Sequence, residues 1–122
     1  MPRPKLKTYT EDEVKAKLKE LPDWYYEEGW IRRLYKTDGW PTTLLLVNQI
    51  GYLSEAAYHH PDLSVSWAKV TVKLKTHSEN GITDKDFELA RKLEDVVLWR
   101  PEENAALEGT PQRFVTGAKA GS

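Results

Sequence analysis

Hydrophobic positions first recur at Val14, Leu18 and Leu21, steps of four and three that mark one edge of a short helix. Thr10 followed three residues later by Glu13 is a capping box for its start, and Pro22 stops it, so the first helix is placed at about residues 11 to 20. Trp24 to Tyr26 and Trp30 to Tyr35 are aromatic and β-branched runs separated by Glu27, Glu28 and Gly29, the pattern of a hairpin. After Gly39 and Pro41, the stretch Thr42 to Tyr58 carries Leu46, Ile50, Leu53 and Ala57 at helical spacing. Pro61 ends this second helix, because it disfavours helical geometry at His60 and has no N–H to donate. From Val65 the period changes to two, with Val70, Val72 and Leu74 facing one way and Thr71, Lys73, Lys75 and His77 the other, a half-buried strand. Gly81 closes the following turn. Thr83 and Asp86 then cap a last helix whose buried stripe is Phe87, Ala90, Leu93 and Val97, and Pro101 breaks it.

The order helix, strand, strand, helix, strand, strand, helix predicts an α+β fold: a four-stranded antiparallel sheet with three helices packed on one face, since no parallel crossover repeats. Residues 1–9, with prolines among basic residues, read as a mobile basic arm, and residues 10–99 as a single domain. Residues 100–122 have no periodicity and read as an irregular tail that needs a partner to order.

Composition narrows the chemistry. A chain of 122 residues, 39% hydrophobic and 30% charged, is one globular domain. It has no Cys, which excludes disulfides, thiolate metal sites and a Cys nucleophile and favours a reducing compartment, so a cytoplasmic protein is expected. A net charge of -1 gives no field for generic nucleic-acid binding. No apolar run approaches a membrane span, and Met1 to Lys7 lacks an apolar signal core. Five Trp and six Tyr suggest anchors at an interface or a pocket for a flat ligand, although the core is the ordinary place for any one of them.

All three His lie close along the chain, His59 and His60 at the end of the second helix and His77 at the end of the period-two strand. Glu55 stands four residues before His59, so a continuing helix would place its carboxylate one turn beneath that imidazole and orient it. Convergence of several imidazoles suits general acid and base catalysis. Spacing alone is equally compatible with three separate surface His. No metal is expected, because the pattern matches no His-Glu-x-x-His helix and adjacent His need not point the same way. Gly29, Gly39, Gly51 and Gly81 make no phosphate-cradling loop, and no nucleophile elbow is present.

Glu55, His59-His60-Pro61, Trp67, His77 and Asp86, with Thr76-His77 and Gly81-Ile82-Thr83-Asp84, resemble the signature of the pterin-4a-carbinolamine dehydratase family, over about Trp30 to Val97. The family's fold agrees with the predicted order of elements. The resemblance implies removal of water from 4a-hydroxytetrahydropterin to give the quinonoid dihydropterin, without metal or cofactor. It implies His59 and His77 as acid and base, His60 holding the pterin ring and Glu55 orienting the pair. Pro61, Trp67 and Thr76 would contact substrate, while Thr83 and Asp86 would have the structural role of a helix cap. Two positions depart from the family's pattern: Tyr58, where an acidic residue often precedes the His pair, and Lys75, where a small one is common.

A second resemblance is carried by Leu45 to Leu63, Ile82 to Arg91, Trp99-Arg100-Pro101 and Leu107-Glu108-Gly109-Thr110-Pro111. These resemble a carboxysome-associated branch of the same fold, which implies a chaperone in RuBisCO assembly contacting the RuBisCO large subunit. Both resemblances imply a homodimer or homotetramer.

Overall fold

The computed structural model describes residues 5–118; residues 1–4 of the expected arm and 119–122 of the expected tail lie outside them. Helix α1, Glu11–Lys17, opens on the expected capping box, in which Thr10 Oγ1 accepts from the Glu13 N–H and the Glu13 carboxylate accepts from the Thr10 N–H. It tightens into a 3-10 turn, Leu18–Glu20, ahead of Pro22. Strands β1, Tyr25–Glu27, and β2, Trp30–Thr37, form the first hairpin. Both residues of its turn have positive φ, 50° at Glu28 and 86° at Gly29, the handedness that matches the twist of the flanking strands. Helix α2 is Trp40–Ala57, strands β3, Asp62–Ser66, and β4, Lys69–Leu74, make the second hairpin, and helix α3 is Asp84–Val97.

The antiparallel sheet has the order β1-β2-β4-β3. Ile31 and Tyr35 of β2 and Val70, Val72 and Leu74 of β4 meet Val14, Leu46, Ile50, Phe87, Ala90 and Leu93 from the three helices in one core. Strand period two and helix period 3.6 thus close on a single apolar layer, where each large side chain contributes about 1.5–3 kcal/mol by leaving water. Arg33 shares the inward register and is fully buried. Its guanidinium pairs with Glu94 of α3, whose Oε1 also accepts from Trp24 Nε1 at 3.0 Å and the Tyr35 hydroxyl at 2.7 Å. Burial works against the Arg33 charge, and the hydrogen bond and charge of Glu94 outweigh it, so its pKa lies above the ordinary value. This network ties α3 to the sheet.

Three segments differ from expectation. Tyr9, in the expected mobile arm, is anchored: its N–H donates to the Ile82 carbonyl at 2.9 Å, its hydroxyl to Asp84 at 2.6 Å, and its ring stands edge-on to Phe87. Gly81 permits that approach, since a Cβ there would lie 2.5 Å from Thr8 Cγ2. Within the tail expected to be irregular, Val115–Ala118 forms strand β5, antiparallel to the Leu34 to Thr37 part of β2, so the sheet has five strands rather than four. The second hairpin ends at Leu74, and His77 opens a 3-10 turn, His77–Glu79, three residues beyond the strand on which it was placed. Among the described residues, no helix is long and apolar enough to cross a membrane.

Candidate functional site

Helix α2 stops with its apolar stripe at Ala57, one residue short of the stretch that the sequence assigns to it. Tyr58 takes left-handed geometry (φ 55°, ψ 42°), its N–H donates to the Glu55 carbonyl, and the His59 N–H donates to that of Ser54. These two bonds are the Schellman motif, ordinarily built on glycine. Its consequence is a turn of the chain that takes His59 off the helix face and breaks the four-residue relation to Glu55. Glu55 therefore pairs with His60, Oε1 to Nε2 at 2.7 Å, on the exposed side of the helix end, and not with His59 as the spacing predicted.

His59 turns inward instead. Its Nε2 lies 2.6 Å from Asp86 Oδ1, at the start of α3. Asp86 is fully buried, and its other oxygen accepts from the Thr83 N–H at 2.9 Å and the Thr76 hydroxyl at 2.8 Å. Thr76 and Thr83 share a further hydroxyl contact at 2.7 Å, and Thr83 Oγ1 completes the capping box. One carboxylate thus caps α3, fixes the loop after β4 and holds His59. An ionised carboxylate only accepts, so Nε2 of His59 carries the hydrogen and Nδ1 is left to take or deliver a proton.

His59, His60 and His77 line one cleft of about 220 Å³ with Tyr58, Lys75, Thr76, Ser78 and Lys85. His77 is exposed and stands edge-on to Trp30, with ring centroids 5.5 Å apart. The cleft opens beside a larger groove of about 900 Å³ between α2 and α3, which shares Tyr58, His59 and Lys85. At the first residue of α3, Asp84 pushes the Tyr9 hydroxyl pKa up to about 12 through its hydrogen bond, with burial and the Asp84 charge adding to it.

The other expected site residues fall differently. Thr76 lines the cleft, but its hydroxyl is committed to Thr83 and Asp86. Pro61 is half-buried and outside the cleft's lining. Trp67 sits exposed in the β3–β4 turn, where its carbonyl accepts from Thr43 near the start of α2. The 18-residue helix is about 27 Å long, so Trp67 and the His cleft of one chain lie at opposite ends of it. Sequence reasoning assigned Asp86 to the cap alone. A capping carboxylate has a second oxygen, and that oxygen was the available sign of a further role. Lys85 was also missed, for an exposed lysine in a first helical turn carries no signal. Among the described residues, no group of three or more His, Asp and Glu is placed to hold a metal ion.

Residues 7–96 match the family model described as pterin 4 alpha carbinolamine dehydratase. A protein of Aquifex aeolicus (strain VF5) named "Putative pterin-4-alpha-carbinolamine dehydratase" is 44% identical over 88 residues, 72% of this chain and 89% of the relative. One of the same name from Sulfolobus acidocaldarius is 37% identical over 86 residues, 70% of this chain and 94% of the relative. The crystal structure of a transcriptional coactivator/pterin dehydratase from Brucella Melitensis superposes with a TM-score of 0.67 at 32% identity, covering 72% of this chain and 96% of that one. The fold, the His cleft and these similarities agree, and the chain belongs to the pterin 4 alpha carbinolamine dehydratase family.

Proposed function

We propose that this chain removes water from a 4a-hydroxytetrahydropterin, with His59 and His77 as its proton-transfer groups. The observation that carries the reading is the convergence of three imidazoles on one cleft, one of them fixed by the buried Asp86. The reaction makes a small demand: the departing 4a-hydroxyl takes a proton and leaves as water, and the N5–H proton is lost as the C4a–N5 double bond forms. Imidazoles that hold or release a proton near neutrality suit both steps. His59, with its Nε2–H committed to Asp86, is the better-positioned base through Nδ1. His77, exposed at the mouth, suits the acid, and His60, with Nε2 on Glu55, suits holding the ring. The same reading carries a homo-oligomer, supported by Leu45 and Tyr52 exposed on α2 and by the open edge of β3.

The test is dehydration of chemically generated 4a-hydroxytetrahydropterin by the wild type beside the His59→Ala/His77→Ala double variant. A rate above background that disappears in a folded double variant supports the reading. No rate in the wild type sinks it. A second reading, a chaperone of RuBisCO assembly without turnover, draws on one observation: the family match ends at residue 96, and a segment beyond it, Val115–Ala118, folds back onto β2 as β5. The matches themselves lend it no support. It is favoured only if the wild type shows no rate yet binds isolated RuBisCO large subunit.

A further inference from the structure

The lining of the His cleft carries two lysines, Lys75 and Lys85, and no carboxylate. Of the carboxylates around it, Asp86 is buried beneath His59, Glu55 is paired on the outer side of His60, and the exposed Glu79 and Glu88 lie outside the lining, Glu88 in the neighbouring groove. Lys75 and Lys85 form no ion pair among the described residues, although Lys75 Nζ lies over the Trp30 ring at 5.7 Å. Ser78 adds a hydroxyl to the same wall. Two ammonium groups, a hydroxyl and three imidazoles facing one concavity in a chain of net charge -1 are a local reversal of sign. At about 220 Å³ the cleft is smaller than the pockets that take drug-sized ligands, so it seats one flat ring system, and any substituent must leave across the rim. Lys85 stands on that rim, lining both the cleft and the groove between α2 and α3.

We infer that the cleft selects a pterin whose side chain carries an anionic group, phosphate or carboxylate, with Lys75 and Lys85 as the residues that read the charge. This rests on the proposed pterin reading and adds to it the substrate class. The ammonium groups act at a solvated rim, so they supply preference rather than bulk affinity, and the preference is sensitive to salt. Lysine suits the task as a compact charge on a long stem that reaches a substituent of variable length.

The experiment is fluorescence titration of the full chain at pH 7.5 with three stable probes: neutral 6-hydroxymethylpterin, its phosphate ester, and pterin-6-carboxylate. The expected result is binding of all three, with one or both anionic probes about tenfold tighter at low salt. That preference should fall towards unity in Lys75→Gln/Lys85→Gln and shrink at about 0.5 M salt, where the screening length is about 4 Å. Which anionic probe is favoured distinguishes phosphate from carboxylate. Equal binding of neutral and anionic probes, or a preference unchanged in the double variant, overturns the inference and leaves the pterin reading standing. Binding of none of the three overturns both.

Discussion

Replacing Asp86 separates the two tasks that its carboxylate performs, because alanine removes both and asparagine removes one. Asp86→Ala deletes the acceptor for the Thr83 N–H and for the buried Thr76 hydroxyl, and takes a negative charge from the first turn of α3. A lost N-cap interaction costs about 1 kcal/mol, the lost hydrogen bond of the buried Thr76 hydroxyl, which keeps Thr83 as its partner, about 1 kcal/mol, and the lost charge at a helix start about 0.5 kcal/mol. The expected loss is about 2.5 kcal/mol, or roughly 10 °C in Tm for a domain of this size. Asparagine can put its single oxygen where both donors converge, which preserves the cap and turns its NH2 towards His59. The loss is then about 1 kcal/mol or less, but His59 Nε2 must accept instead of donate, and its hydrogen moves to Nδ1. Since a carboxylate-to-amide change behind an oriented His leaves the geometry intact and selects the wrong tautomer, dehydration should fall about 10²- to 10⁴-fold in a protein that melts almost normally. Thermal denaturation of both variants, with ¹⁵N NMR of the imidazole nitrogens, reads stability and tautomer separately. The reasoning is refuted if Asp86→Asn melts as low as Asp86→Ala, or if His59 keeps its hydrogen on Nε2 in the asparagine variant.

Three further outcomes are expected. Glu94→Gln exchanges the carboxylate of the buried Arg33 network for a neutral amide and should cost about 3 kcal/mol in urea denaturation; a loss below about 1 kcal/mol would show that the network contributes little. Tyr58→Gly relieves the left-handed strain at the end of α2, gives back part of the gain as chain entropy in the unfolded state, and should raise Tm by about 2 °C; a fall of that size would mean that the edge contact of Tyr58 with His60 outweighs the strain. The Glu13 carboxyl is lowered to about 2, first by the Lys7 ammonium and then by the Thr10 N–H. Its folded value lies below its unfolded value, so its contribution is complete above about pH 4.5 and fades as pH falls towards 2; the stability gap between wild type and Glu13→Gln should close across that window, and a gap that stays constant contradicts the assignment.

Where side-chain period decided the matter, the fold was legible. The Leu46 and Ile50 stripe, the Val70, Val72 and Leu74 alternation and the Thr83 and Asp86 cap all lie where the pattern placed them. Local rules failed where a backbone torsion or a distant segment intervened. The four-residue rule assigned Glu55 to His59 on the premise that the helix continues, and a tyrosine in a glycine's usual conformation ends it first. Asp86 reaches His59 across 27 residues, a contact that periodicity does not encode. Trp67 was placed by family resemblance, and the length of α2 separates it from the cleft within one chain. The prolines before Tyr9 mark a mobile arm, while its partners Ile82, Asp84 and Phe87 lie more than 70 residues away.

Strand β5 has a consequence for the life of the chain before and after folding. It lies about 80 residues from the part of β2 that it covers, so closing that loop carries a high entropic cost and the pairing belongs among the late events of folding. Until then, the amides and carbonyls of Leu34 to Thr37 on that side are an unprotected template on which another chain can add a strand. Seen this way, β5 is a stopper. A chain cut after Trp99 would keep the His cleft and lose only Val115 from the margin of the core, yet carry a sticky β-edge, and its failing would be self-association added to a modest loss of stability.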